Sequence, residues 1–175
     1  MLFRSLDVTL ETGRGILPLR ATEGQQPASV TVELGEPVLV PPPIYTPYIP
    51  FKCVELGGLY FVLETERLKD APVESLGPKL AGDPALKDGA DIVFAEPLSA
   101  SLLALRVWKK EGGEAAACGT AAAAALYAMA LEYKCDPSVT VRMAGGEFST
   151  IWDEDGSRVY VTGPVTRLFE GNWRE

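Results

Sequence analysis

The stretch EAAACGTAAAAALYAMALEYK, residues 114–134, sets one cysteine, one glycine and one threonine at the head of a run of alanines. Alanine is the strongest helix former, and Leu126, Tyr127, Met129, Leu131 and Tyr133 fall on every side of a helix drawn from Gly119 to Lys134. A helix that is apolar all round is a buried one. Its small side chains let neighbouring strands approach closely from several directions. Asp136-Pro137 is expected to stop it, because proline has no N–H to continue the ladder and biases the residue before it away from the α region.

Outward from that helix the chain reads as strands. Residues 6–20 and 28–40 carry β-branched residues in near alternation broken by Gly and Pro, and PPPIYTPYIP, residues 41–50, can enter neither a sheet interior nor a helix and is a connector. FKCVELGGLYFVLE, residues 51–64, offers two short apolar runs around Gly57 and Gly58. One short helix is expected in LGPKLAGDPAL, residues 76–86. ADIVFAEP and SASLLALRVWKK read as strands that end at a turn near Gly112 and Gly113. In GGEFSTIWDEDGSRVYVTGP, the Asp155-Gly156 pair between two alternating runs signals a hairpin. The economical architecture is α+β: a curved, mostly antiparallel sheet wrapped around one central alanine-rich helix.

Composition narrows the chemistry. A net charge of −8 without any basic run argues against nucleic acid as a partner, since phosphate binding needs clustered Lys and Arg. No apolar span approaches membrane length, and the N-terminus alternates rather than running apolar, so a cytoplasmic protein is expected. Three cysteines without a CxxC pair make no disulfide framework, and with no histidine a structural zinc site lacks ligands, so neither metal nor cofactor is expected. The missing histidine also excludes a Ser-His-Asp triad or a Cys-His dyad within this chain.

Cys118 stands where the helix should begin, so the unpaired N–H groups of the first turn and the positive end of the helix dipole share its space. Both favour negative charge, on the sulfur or on a bound anion. Cys118 is therefore expected to be the most reactive of the three thiols. An inert, buried cysteine with Thr120 as a cap is the plain alternative. The ordered set of Arg106, Gly112, Gly113, Glu114 and then Ala-Cys-Gly-Thr weighs against it.

LRVWKKEGGEAAACGTAAAAALYAM together with GGEFSTIWDEDGSRVYVTGPVTRLFEG resembles the C-terminal half of diaminopimelate epimerase, a pyridoxal-independent isomerase family of lysine biosynthesis. VTVELGEPVLVPPPIYTPYIPF and LGPKLAGDPALKDGADIVFAEP resemble the segments that precede it, so the likeness covers roughly residues 6–172. It implies a single diaminopimelate epimerase-like lobe over residues 1–175, with residues 1–28 as a remnant of the preceding lobe. It also implies Cys118 as one of two acid/base thiols, with the backbone of Gly119 and Thr120 cradling the carboxylate of an amino-acid substrate. Asp91 takes the place of a family asparagine, and Lys109-Lys110 that of Glu-Arg, which makes Lys110 the retained cation for substrate. Gly57-Gly58-Leu59-Tyr60 replaces the family's Gly-Asn-Pro-His, and no Cys-Gly-Asn-Gly motif, the source of the second thiol, occurs in the chain. Two functions stay open: an epimerase or racemase half completed by a separate complementary lobe or by a second copy in a two-fold homodimer, and an inactive small-molecule-binding or assembly domain. The chain alone is expected to show little or no epimerase activity.

Overall fold

The computed structural model describes residues 5–12, 15–22, 28–43, 50–86, 88–153, 155, 157–166, 168, 169 and 171. Gly156 of the expected Asp155-Gly156 turn, residues 44–49 of the proline-rich connector, and residues 1–4, 13, 14 and 23–27 of the N-terminal region lie outside them. The described strands are β1 (Ser5–Thr12), β2 (Gly15–Thr22), β3 (Ala28–Glu33), β4 (Val38–Val40), β5 (Lys52–Glu55), β6 (Leu59–Glu64), β7 (Asp91–Ser99), β8 (Leu102–Lys109), β9 (Gly113–Ala115), β10 (Ser138–Met143), β11 (Gly146–Asp153) and β12 (Arg158–Val165). The helices are α1 (Val73–Ala81) and α2 (Gly119–Ala130), with a 3-10 turn at Leu68–Asp70.

The strands form one sheet in the order β1-β2-β3-β12-β11-β10-β8-β7-β6-β5-β4, with β9 paired to β8. Only the β10–β8 and β6–β7 pairings among these are parallel. α2 packs against β5, β6, β7 and β8 and also against β11 and β12. Strands far apart in the sheet order touch one helix, so the sheet curls around it. Five consecutive alanines, Ala121–Ala125, have no exposed surface, as the sequence requires of a helix enclosed on all sides.

Alternation along the central strands explains the layers. In β6, Tyr60 and Val62 face α2, while Phe61 and Leu63 face outward onto α1; in β7, Val93 and Ala95 face α2, and Ile92 and Phe94 face α1. Both faces are covered, so these strands read as unbroken apolar runs rather than as half-polar ones. α1 lies close on the outer face because Gly77 offers no side chain: a Cβ there would stand 2.7 Å from Trp108 Cβ. The β1–β2 hairpin, by contrast, packs chiefly against β3 among the described residues, and Val8, Leu10 and Ile16 are exposed. Among the described residues no helix is long and apolar enough to cross a membrane.

Both helices differ from the sequence expectation in their limits. α1 begins at Val73 and ends before Gly82, leaving Gly82-Asp83-Pro84 beyond it, because the periodic apolar face is set by Val73, Gly77 and Leu80. α2 ends at Ala130, a turn short of Lys134. Tyr133 adopts φ 58°, its N–H donates to Ala130 O at 2.9 Å, and the N–H of Lys134 donates to Met129 O at 3.0 Å. These two bonds around a left-handed residue are a Schellman motif, so the chain turns before Asp136-Pro137 is reached.

Candidate active site

Cys118 is the residue immediately before α2, with extended φ −157° and ψ 105°. The first helical bond runs from the N–H of Ala122 to Cys118 O, 3.1 Å, so the N–H groups of Gly119, Thr120 and Ala121 have no acceptor within the helix. Two features of the β10–β11 turn fix the approach to this point. The N–H of Gly145 donates to Ala116 O at 2.7 Å, and the N–H of Cys118 points to Met143 Sδ at 3.4 Å. Cys118 is half-buried.

The pairing of three strands brings a polar row to the sulfur. Tyr60 on β6 is registered with Asp91 on β7, and the β7–β8 register, Ile92 opposite Trp108, carries on to set Asp91 against Lys109. Tyr60 lies on the sheet face that meets α2, and the row follows it there. The Lys109 ammonium is bonded to the Asp91 carboxylate and lies 3.8 Å from Cys118 Sγ. The other Asp91 oxygen accepts the backbone N–H of Lys110 at 3.0 Å, which ties the carboxylate to the main chain. Tyr60 donates its hydroxyl to Thr120 Oγ1 at 2.8 Å, and Thr120 Oγ1 lies 3.4 Å from Cys118 Sγ. With its oxygen engaged by Tyr60, the Thr120 proton is free to point at the sulfur.

Burial works against the Lys109 charge, but the Asp91 carboxylate, Cys118 and Tyr60 outweigh it and hold the ammonium above the ordinary lysine range. The other two cysteines are buried in the core, and burial pushes their thiols up to about 11, with Asp136 adding to the effect at Cys135.

The residues singled out from sequence separate into three places. Cys118, Gly119, Thr120 and, through Lys109, Asp91 form one cluster. Lys110 is elsewhere: its ammonium donates to Asp88 O at 2.6 Å, so the cation beside Cys118 is Lys109. Arg106 is held by Glu114 in a two-pronged pair of 2.7 and 2.8 Å, beside Glu74 and Ser75 of α1 on the outer face. That pair keeps the Arg106 charge and lowers the Glu114 carboxyl below its usual range. Lys109 and Tyr60 had no assigned role from sequence. The signal for Lys109 was strand alternation: Leu105 and Val107 are core residues of the α2 face, so Lys109 follows them inward and Arg106 does not.

Gly119 and Thr120 also line a recess of about 370 Å³ whose walls are Val30, Val32, Leu34, Phe148, Val161 and Val165. Apart from Thr120, its lining is glycine and apolar side chains. A larger recess of about 560 Å³ lies on the β1–β3 flank, lined by Asp7, Arg20 and Tyr160, and includes none of the residues around Cys118.

Residues 56–168 match the diaminopimelate epimerase family. The chain is 31% identical to the diaminopimelate epimerase of Methanococcus maripaludis over 181 residues and 32% identical to that of Acetivibrio thermocellus, in each case over 94% of this chain. The chain belongs to the diaminopimelate epimerase family. It spans about 65% of the length of those two relatives. The fold is shared with more distant proteins. A hydroxyproline epimerase from Agrobacterium vitis superimposes with a TM-score of 0.71 at 20% identity, covering 94% of this chain and 58% of that one. A probable proline racemase from Agrobacterium radiobacter gives 0.69 at 20% identity, covering 94% and 59%. The curled sheet around α2 is thus an epimerase-like α+β lobe, as expected from the sequence.

Proposed function

We propose that this chain is one part of a cofactor-independent amino-acid epimerase or racemase, acting in the cytoplasm, in which Cys118 is one of two acid/base groups. The observation that carries the reading is the thiol itself: half-buried at the N-terminus of α2, with a cation at 3.8 Å and three helix N–H groups beside it. A substrate carboxylate bonded to the N–H groups of Gly119 and Thr120 would place the α-carbon near the sulfur. The sulfur takes the α-proton, the C–H electron pair remains on carbon as charge delocalised into the carboxylate, and an acid on the opposite face returns a proton. N–H donors already aimed at that carboxylate stabilise the developing charge without reorganising. One thiol cannot serve both faces, so the second group comes from a complementary lobe or a second copy of this chain.

The loss of the family's His and Glu-Arg supports the other reading, a binding or assembly domain that keeps the cradle without the chemistry. One assay separates them: exchange of α-hydrogen with deuterated solvent, on diaminopimelate and on a panel of apolar amino acids. The chain is assayed alone and with a lobe of a relative that carries the second cysteine, and sedimentation gives the assembly state. The expected result is no exchange by a monomer, exchange on supplementation or in a dimer, and loss of that exchange in Cys118→Ala. Efficient turnover by a demonstrated monomer, or exchange that survives Cys118→Ala, would overturn the proposal. Carboxylate binding with no exchange under any condition favours the binding domain.

A further inference from the structure

We infer that Lys109 is the positioning residue for Cys118, a fixed counter-charge that governs the reactivity of the sulfur. The inference rests on the reading of Cys118 as an acid/base group, and it names the partner on which that role depends.

A lysine ammonium on a flexible stem usually wanders, and a cation that wanders does little for a nearby sulfur. Here it is clamped. Asp91 holds the ammonium, and Asp91 is itself held by the backbone N–H of Lys110 and is almost wholly buried. The stem is held as well, since Lys109 closes a strand whose inward residues Leu105 and Val107 are core. Among the described residues, the groups around the sulfur are few. They are Lys109 from β8, Asp91 behind it from β7, Tyr60 from β6 acting through Thr120, Thr120 of α2 itself, and Met143 from β10, which meets the Cys118 N–H. Lys109 is the one cation in that set. Asp91 partly cancels its charge, but of that pair it is the ammonium that is in contact with the sulfur. The first turn of α2 carries no acidic side chain to oppose it.

The test is alkylation of the full chain by iodoacetamide, read by peptide mass so that Cys118 is followed apart from Cys53 and Cys135. At neutral pH and low salt, Lys109→Met should slow labelling of Cys118 by about tenfold, well below the full effect of one unit charge near 4 Å at a protein surface because Asp91 cancels part of it. Its rate profile against pH should also move to higher pH. Lys109→Arg keeps the charge and should recover most of the rate. Circular dichroism checks the fold, and Lys109→Gln carries the same expectation if the methionine variant fails to fold. A Lys109→Met or Lys109→Gln rate equal to that of the unaltered chain, with the same pH profile, would overturn the inference. The outcome is independent of turnover. Absence of α-hydrogen exchange under every condition, including supplementation with the complementary lobe, with a Lys109-dependent alkylation rate refutes the epimerase reading alone, and exchange with a Lys109-independent rate refutes this one alone.

Discussion

Gly145→Ala tests whether the β10–β11 turn holds the segment leading into Cys118 in place. A Cβ at residue 145 would stand 2.9 Å from Ala116 O, 3.1 Å from Ala116 C and 3.3 Å from Ala116 Cβ. Two of these are backbone atoms, so no rotamer change relieves the clash. Either the turn or the segment leading into Cys118 must move by about half an ångström to regain ordinary contact. The bond from the Gly145 N–H to Ala116 O, 2.7 Å, is strained by the same movement. Overpacking of this kind costs about 1–3 kcal/mol. Replacing glycine narrows the unfolded ensemble and returns about 0.4–1 kcal/mol, because residue 145 is not in the left-handed region. The net expectation is a loss of roughly 1–2 kcal/mol, or about 2–8 °C in Tm for a chain of this size. Urea titration and a thermal melt measure it, and iodoacetamide labelling of Cys118 should slow as the sulfur leaves Lys109. Gly119→Ala is the control, since its Cβ would meet only Val161 Cγ1 at 3.4 Å, an ordinary contact. A Gly145→Ala chain as stable as the parent, or less damaged than Gly119→Ala, refutes the clamp.

Tyr133→Gly should stabilise the chain by about 0.5–1 kcal/mol, because Tyr133 holds a left-handed φ of 58° with its side chain 95% exposed and loses no packing when removed. A fall in urea midpoint would count against the Schellman reading. The buried thiols of Cys53 and Cys135 predict an alkaline loss of stability: both titrate at about 11 in the folded chain, above their value in the unfolded one. Their contribution is complete below about pH 9 and is lost as pH rises toward 11, about 2 kcal/mol per thiol. Cys53→Ala should flatten that limb in urea titrations across this range, and an unchanged slope would show that the thiol does not carry it.

The helix α2 was legible because its alanines state a physical requirement, enclosure at close range, that few other arrangements meet. The strands were legible from alternation, and Cys118 from its place before the first alanine. What sequence could not give was pairing in space. Arg106 and Glu114 sit near Cys118 in the chain and bond to each other on the far face of the sheet. Lys110 matched a family cation by position, yet its side chain goes to Asp88, while its neighbour reaches the sulfur. The end of α2 was misplaced for a different reason. Proline is a visible stop signal, whereas a tyrosine in the left-handed region carries no mark in the sequence, since glycine is the residue expected there. Tyr60 stands where the resemblance to the family implies a histidine, and it reaches the neighbourhood of Cys118 through a hydroxyl bonded to Thr120 Oγ1 rather than through a ring nitrogen.

That exchange bears on what surrounds Cys118. A chain of contacts runs from Tyr60 through Thr120 to Cys118, and the Lys109 ammonium lies 3.8 Å from the same sulfur. Neither Tyr60 nor Lys109 is among the residues that line the recess formed in part by Gly119 and Thr120. The recess walls opposite are Val30, Val32, Leu34, Phe148, Val161 and Val165, none of which can carry a proton. Cys118 is not part of that lining, so the polar row around the sulfur and the apolar recess meet only at Gly119 and Thr120, the first residues of α2. Under the proposed function, in which a substrate carboxylate takes the N–H groups of that turn, the second proton carrier would have to come from outside these walls, because none of them holds an ionisable side chain.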